Sequence, residues 1–150
     1  MSRIAIAFHS GYGHTRRVAE SVQAGAASVA GAQATLIDVS QVSDAQWDEL
    51  AKADAIVFGA PTYMGGPSGV FKTFADASAK VWFSQGWKDK VAGGFTCSLN
   101  MSGDKYSTLM YFTTLAMQHG MIWVGTAMMS PSQPGPVSYT HLTLPTKRIV

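Results

Sequence analysis

The sequence predicts an α/β fold, a doubly wound, five-stranded parallel sheet with helices on both faces. Three observations carry that prediction. Short apolar runs alternate along the chain with segments of helical period. The strand-like runs are almost free of charge, as strands buried on both faces are. The turns after the first, third and fourth runs are rich in Gly, Ser, Thr or Asn. A chain of 150 residues is one domain's worth, and 47% apolar against 13% charged residues excludes disorder.

Arg3–His9 (RIAIAFH) reads as the first strand, and Ser10–Thr15 (SGYGHT) as a glycine-containing turn. From Thr15, Val18, Val22, Ala26 and Val29 follow helical spacing until Gly31 punctuates it. Ala34–Val39 is the second strand. Ser43 or Asp44 then caps a short helix that presents Trp47 and Leu50 on one face. Ala55–Ala60 (AIVFGA) is uncharged and therefore central. Pro61–Pro67 (PTYMGGP) reads as a loop, and Ser68 as the cap of a helix carrying Val70, Phe71, Phe74, Ala77 and Val81. Val91–Cys97 is a fourth strand weakened by two glycines, followed by the polar loop Ser98–Asp104. Lys105–His119 is helical with Leu109, Phe112, Leu115 and Ala116 inward, and Met121–Met129 is the fifth strand.

This places one domain over residues 1–130 and an irregular tail over 131–150, which holds four of the six prolines. The fifth helix that closes a doubly wound domain is missing from the pattern. One sheet face, near the first and third strands, is therefore expected to be thinly covered.

The net charge of +2 comes from the tail: Lys147 and Arg148 lie in its last four positions, and residues 1–135 carry nine basic and nine acidic side chains. No basic stripe remains to track a phosphate backbone, which excludes nucleic acid as the main partner. A single cysteine, Cys97, excludes an internal disulfide and a four-cysteine zinc site. The first apolar run is too short for a signal peptide or a membrane span, so a cytoplasmic protein without a membrane partner is expected.

Open α/β sheets bind ligands at the carboxyl ends of their strands, which selects the loops Ser10–Thr15, Pro61–Pro67 and Ser98–Asp104. The first precedes a helix N-terminus, with Gly11 and Gly13 allowing close approach of backbone to an anion. Position 16 is Arg16, so the three-glycine dinucleotide fingerprint is absent, and so is a P-loop. Phosphate binding and a plain turn capped by Thr15 stand as equal readings of that loop. Tyr63 suits stacking on a planar ligand or a place as a partly buried loop residue. His119 can be a helix-end histidine, Trp82 a core anchor and Cys97 a small buried hydrophobe. Neither a Ser-His-Asp order, nor a carboxylate pair, nor a metal constellation stands out. Such a phosphate-binding loop with few titratable groups suggests that a cofactor carries the chemistry.

Three motifs in register, SGYGHT (Ser10–Thr15), GAPTYMGG (Gly59–Gly66) and HGM (His119–Met121), resemble the flavodoxin-like NAD(P)H:quinone oxidoreductases, of the type once called tryptophan-repressor-binding protein. The similarity runs in order from Arg3 to about Met129. It implies the strand order 2-1-3-4-5 and FMN in the strand-end crevice. Ser10, Gly11, Tyr12, Gly13, His14 and Thr15 would wrap its phosphate. Pro61, Thr62, Tyr63 and Met64 would border the ring system on one side, and Thr96, Cys97, Ser98, Leu99, Asn100 and Met101 on the other. Tyr12 would also lie near the nicotinamide of NADH or NADPH. Trp82 and His119 match positions of the substrate pocket, part of which a neighbouring subunit of a dimer or tetramer supplies. The implied activity is two-electron transfer from NAD(P)H through the flavin to a quinone. A single-electron carrier and a non-catalytic flavin-binding module are the alternatives. The chain departs from the family's pattern in a short loop after the second strand and in Tyr63, where an arginine is common. From about Pro136 it looks like translated adaptor sequence.

Overall fold

The structure, a computed structural model, describes residues 1–100 and 104–125. In chain order its elements are β1 (Ser2–Phe8), α1 (His14–Ala27), β2 (Ala32–Asp38), α2 (Asp44–Lys52), β3 (Ala55–Tyr63) and β4 (Gly66–Pro67). They continue with α3 (Gly69–Ala77), α4 (Ala79–Phe83), β5 (Val91–Cys97), α5 (Lys105–Gln118) and β6 (Ile122–Trp123). The five principal strands are parallel in the order β2-β1-β3-β5-β6, with β4 hairpinned onto β3. Setting β4 aside, this is the expected order 2-1-3-4-5.

Strand alternation divides the core in two. Ala5, Ala7, Ile56, Phe58 and Ala92 face α2, α3 and α5, where Leu50, Phe71, Phe74, Phe112 and the fully buried Trp87 complete the larger cluster. Ile6, Phe8 and Phe95 face the opposite way, against Ala19, Val18 and Val22 of α1. Gly59 is part of that second packing, because a Cβ there would collide with the ring of its register partner Phe95. Trp87 lies within about 6 Å of Phe58, Phe74 and Trp47, and its ring centre is 4.4 Å from that of His119, tilted by 40°.

Several local expectations change. The segment PTYMGGP is a hairpin rather than a loop, since β3 runs on to Tyr63 and pairs Thr62 with Pro67 and Tyr63 with Gly66. The helix expected through Val81 breaks at Ser78, whose hydroxyl is drawn back to the Ala75 carbonyl, giving α3 and α4. Val29 lies beyond α1, and both it and Val70 are exposed rather than inward. Ser43 caps α2 with a full capping box, as expected, and Ser68 caps α3.

On the α1 side, Val91 and its register partner Ile122 are exposed, and so is Val124. The open apolar strip therefore lies over β5 and β6 and not over β1 and β3, which α1 already covers. The part of the expected fifth strand past Gly125, residue Met101 and the tail 131–150 lie outside the described residues. Among the described residues no helix is long and apolar enough to cross a membrane.

Candidate functional site

The carboxyl ends of β1, β3 and β5 bring the three glycine- and hydroxyl-rich segments together at one edge of the sheet. The first segment opens α1. Gly13, in the left-handed region at φ 88°, is the N-cap, and Thr15 lies buried inside the first turn instead of capping it. The first free amides of a helix carry its positive end. Ser10 Oγ accepts from the Arg16 amide at 3.1 Å, which leaves the amides of His14 and Thr15 for an anion. No acidic side chain in the first turn competes for them. Arg16 also pairs with Asp38 at 2.9 Å, with both side chains well exposed.

The hairpin from β3 supplies the second wall. Its two tip residues, Met64 and Gly65, have φ of 49° and 75°. Positive φ at both central positions is the mark of a type I′ turn, which favours Asn-Gly. Met64 is fully exposed at that tip, and Tyr63 reaches from the hairpin base to the first loop, where a Cβ on Gly11 would collide with its hydroxyl. The Tyr63 ring meets Tyr12 edge-on at 6.4 Å. Burial raises the Tyr63 pKa, with Tyr12 and Cys97 adding to the shift, so the phenol stays protonated. Tyr63 therefore bridges two loops across the crevice.

The third wall follows β5. Cys97 Sγ and Thr15 Oγ1 lie 3.0 Å apart and tie the strand end to α1, so Cys97 is half-buried and hydrogen-bonded, not a plain core hydrophobe. Lys105 donates to Ser98 Oγ at 2.7 Å and to the Asn100 carbonyl at 2.6 Å, which shapes the loop around an exposed Leu99. Met101 lies outside the described residues.

Beneath these walls are groups that the sequence reading passed over. Thr108 of α5 is fully buried and lies 2.8 Å from Thr62 Oγ1, which lies 2.8 Å from Thr96 Oγ1. His9 Nδ1 lies 2.8 Å from Ser68 Oγ, and burial lowers its pKa against a smaller opposing effect of Asp38. The only signal for Thr108 was a hydroxyl residue on the inward stripe of a helix. Nothing in the local spacing reports that it meets a strand 46 residues away.

Trp82 and His119 are not part of this crevice in one chain. His119 directly follows α5 and precedes β6, whose first residue pairs with the first residue of β5, so it lies at the amino ends of the strands. A seven-residue strand puts that end about 20 Å from the crevice. There Trp82, Phe83, Lys88, Met117 and His119 line a separate cleft of about 370 Å³. Ser78 donates its one proton to the Ala75 carbonyl, so His119 Nε2–H donates to Ser78 Oγ at 2.9 Å. His119 Nδ1 is then an acceptor, buried without a partner, and burial lowers the ring's pKa.

Amides, hydroxyls and exposed apolar side chains thus line the crevice. Among the described residues no cluster of three or more His, Cys, Asp or Glu could hold a metal. The arrangement suits an anionic group joined to a flat apolar one.

Residues 7–135 match the family model described as NADPH-dependent FMN reductase. The chain is 48% identical over 127 residues to flavodoxin FldP of Pseudomonas aeruginosa, covering 83% of this chain and 66% of that protein. It is 37% identical over 144 residues to an NAD(P)H dehydrogenase (quinone) of Geobacter metallireducens, covering 82% and 71%. The chain thus spans about two thirds of the length of these relatives. The crystal structure of a WrbA-like flavodoxin from Agrobacterium tumefaciens superposes with a TM-score of 0.75 at 54% identity, over 83% of this chain and 77% of that one.

Proposed function

Since the chain belongs to the NADPH-dependent FMN reductase family and has the flavodoxin-like fold, we propose that it is an FMN-dependent oxidoreductase that passes reducing equivalents from NAD(P)H to a quinone. The observation that carries this reading is the pairing of an amide-lined helix start, free of acidic residues, with the exposed apolar groups Tyr12, Tyr63, Met64 and Leu99. A phosphate needs the first and a flat ring system needs the second.

FMN, when bound, supplies hydride acceptance and two-electron release. The chain's part is binding and orientation. The amides of His14 and Thr15 and the hydroxyl of Ser10 would hold the phosphate. Tyr63 and Met64 would border one side of the ring system and the Cys97–Asn100 segment the other. Tyr12, exposed at the mouth, would lie near the nicotinamide. Trp82 and His119 can serve such a site only across a subunit boundary, so this reading includes a homo-oligomer.

The identity to flavodoxin FldP supports a second reading, a carrier of single electrons between proteins. Such carriers gain from strong net charge in docking, and residues 1–135 are balanced. Titration with FMN followed by flavin fluorescence, then NADH or NADPH oxidation with benzoquinone as acceptor, separates the two. Direct oxidation of the nicotinamide is the expected result. Flavin that only a partner reductase can reduce would favour the carrier, and failure to take up FMN would overturn both.

A further inference from the structure

We infer that Thr108 is a positioning residue for the flavin crevice, acting through a one-way chain of hydroxyls that commits the protons of Thr62 and Thr96. The inference rests on the reading of the crevice as an FMN site. Its geometry is independent of that reading.

Each threonine hydroxyl carries one proton and can accept more than one. Thr96 Oγ1 lies 2.7 Å from the Ala60 carbonyl, which can only accept, so the Thr96 proton is spent there. At the 2.8 Å contact between Thr62 and Thr96 the donor must then be Thr62. With the Thr62 proton spent, Thr108 must donate at the third contact, also 2.8 Å. The chain therefore runs Thr108 to Thr62 to Thr96 to the Ala60 carbonyl, and no other assignment of protons satisfies all three contacts. Thr108 is fully buried, Thr96 is 2% exposed and Thr62 is 6% exposed.

The position of this chain gives it a role. Thr62 starts the hairpin that carries Tyr63 and Met64, and Thr96 precedes the Cys97–Asn100 wall. Thr108 belongs to α5, one turn after Lys105, which holds Ser98 and Asn100 from the other side. One buried chain thus fixes the separation of the two walls that would border a flat ligand. Because the protons of Thr62 and Thr96 are committed, their hydroxyls have none to donate to a ligand. Hydrogen bonds donated to a ligand at these two positions fall to the main chain, and the two hydroxyls can only accept.

The test is FMN affinity, read by quenching of flavin fluorescence, alongside thermal unfolding of the flavin-free protein. Thr108→Val keeps the shape and removes the first donor. It is expected to weaken FMN binding on the order of fivefold to tenfold, the usual worth of one buried hydrogen bond. Thr108→Ser should restore it, and Thr62→Val, which loses two bonds, should be worse than Thr108→Val. Thr113→Val, on the same helix, loses only a bond to the Leu109 carbonyl and should leave FMN affinity at the parent level. If the Thr108→Val protein does not fold, Thr108→Cys, with a weak S–H donor, takes its place and should show an intermediate loss. Parent-like affinity in Thr108→Val or Thr108→Cys, or a loss in Thr113→Val equal to that in Thr108→Val, overturns the inference. If the parent takes up no FMN, the reading of the crevice and the inference fail together; if the parent binds and the variants match it, the inference alone fails.

Discussion

Met64 holds a backbone conformation that suits asparagine or glycine, with its side chain wholly in solvent at a hairpin tip. A left-handed conformation in such a residue costs on the order of 1 kcal/mol, so its retention points to a use for the side chain. Met64→Asn is expected to raise the melting temperature by roughly 2–4 °C and to weaken FMN binding. A melt that falls would show that the tip is unstrained. Two buried histidines contribute to the acid response. Burial lowers the pKa of His119 and, against Asp38, that of His9. The unfolded chain takes up these protons near pH 6.5 while the folded chain resists them, so their contribution is whole above that pH and lost as pH falls below it. Each removes at most about 1.4 kcal/mol per pH unit. Urea unfolding at pH 7.5 and 5.5 should show the loss, and His119→Gln should make it shallower. An unchanged pH slope in that variant would place the effect elsewhere.

Among the elements, the two serine caps do different work. Ser43 closes an exposed capping box at the start of α2, bonding to Gln46 of its own helix start. Ser68 is buried at 1% exposure, caps α3 and meets His9 at the end of β1. Ser43→Ala should cost about 1 kcal/mol and leave FMN affinity alone. Ser68→Ala should cost about 2 kcal/mol, because it also strips a partner from a buried imidazole, and should weaken FMN binding. Urea curves and FMN titrations on both proteins check this, and equal behaviour of the two variants would count against it. These elements were largely visible beforehand, because strands and caps rest on local signals. Apolar runs marked β1, β3 and β5, and both serine caps stood where their helices start. The hairpin was missed because Met64 has no turn propensity. The break at Ser78 was missed because the apolar spacing of Phe71, Phe74 and Val81 runs straight across it.

For the molecule as a whole, the candidate site was legible in its loops and illegible in its supports. Gly11, Tyr12 and Tyr63 announce themselves through glycine and aromatic content. Lys105, Thr108 and His9 act through contacts that only the folded topology creates. Trp87 is the clearest case in the core, since its segment, GWKDK, shows no period and yet it is the largest fully buried side chain. The exposed strip of Val91, Ile122 and Val124 is also a property of the assembled sheet. Ile122→Ser with Val124→Ser should lower the binding of a hydrophobic dye and the tendency to associate, with little change in the melt. Dye binding equal to the parent's would mean that the strip is not the sticky surface.

The separation of Trp82 and His119 from the crevice, about 20 Å along the strands, has a kinetic signature. A pocket completed by another chain exists only in proportion to the population of assembled chains. On the proposed reading as an oligomeric quinone reductase, serial dilution should therefore reduce quinone turnover per flavin once assemblies dissociate, while the yellow colour of each diluted sample stays proportional to its protein.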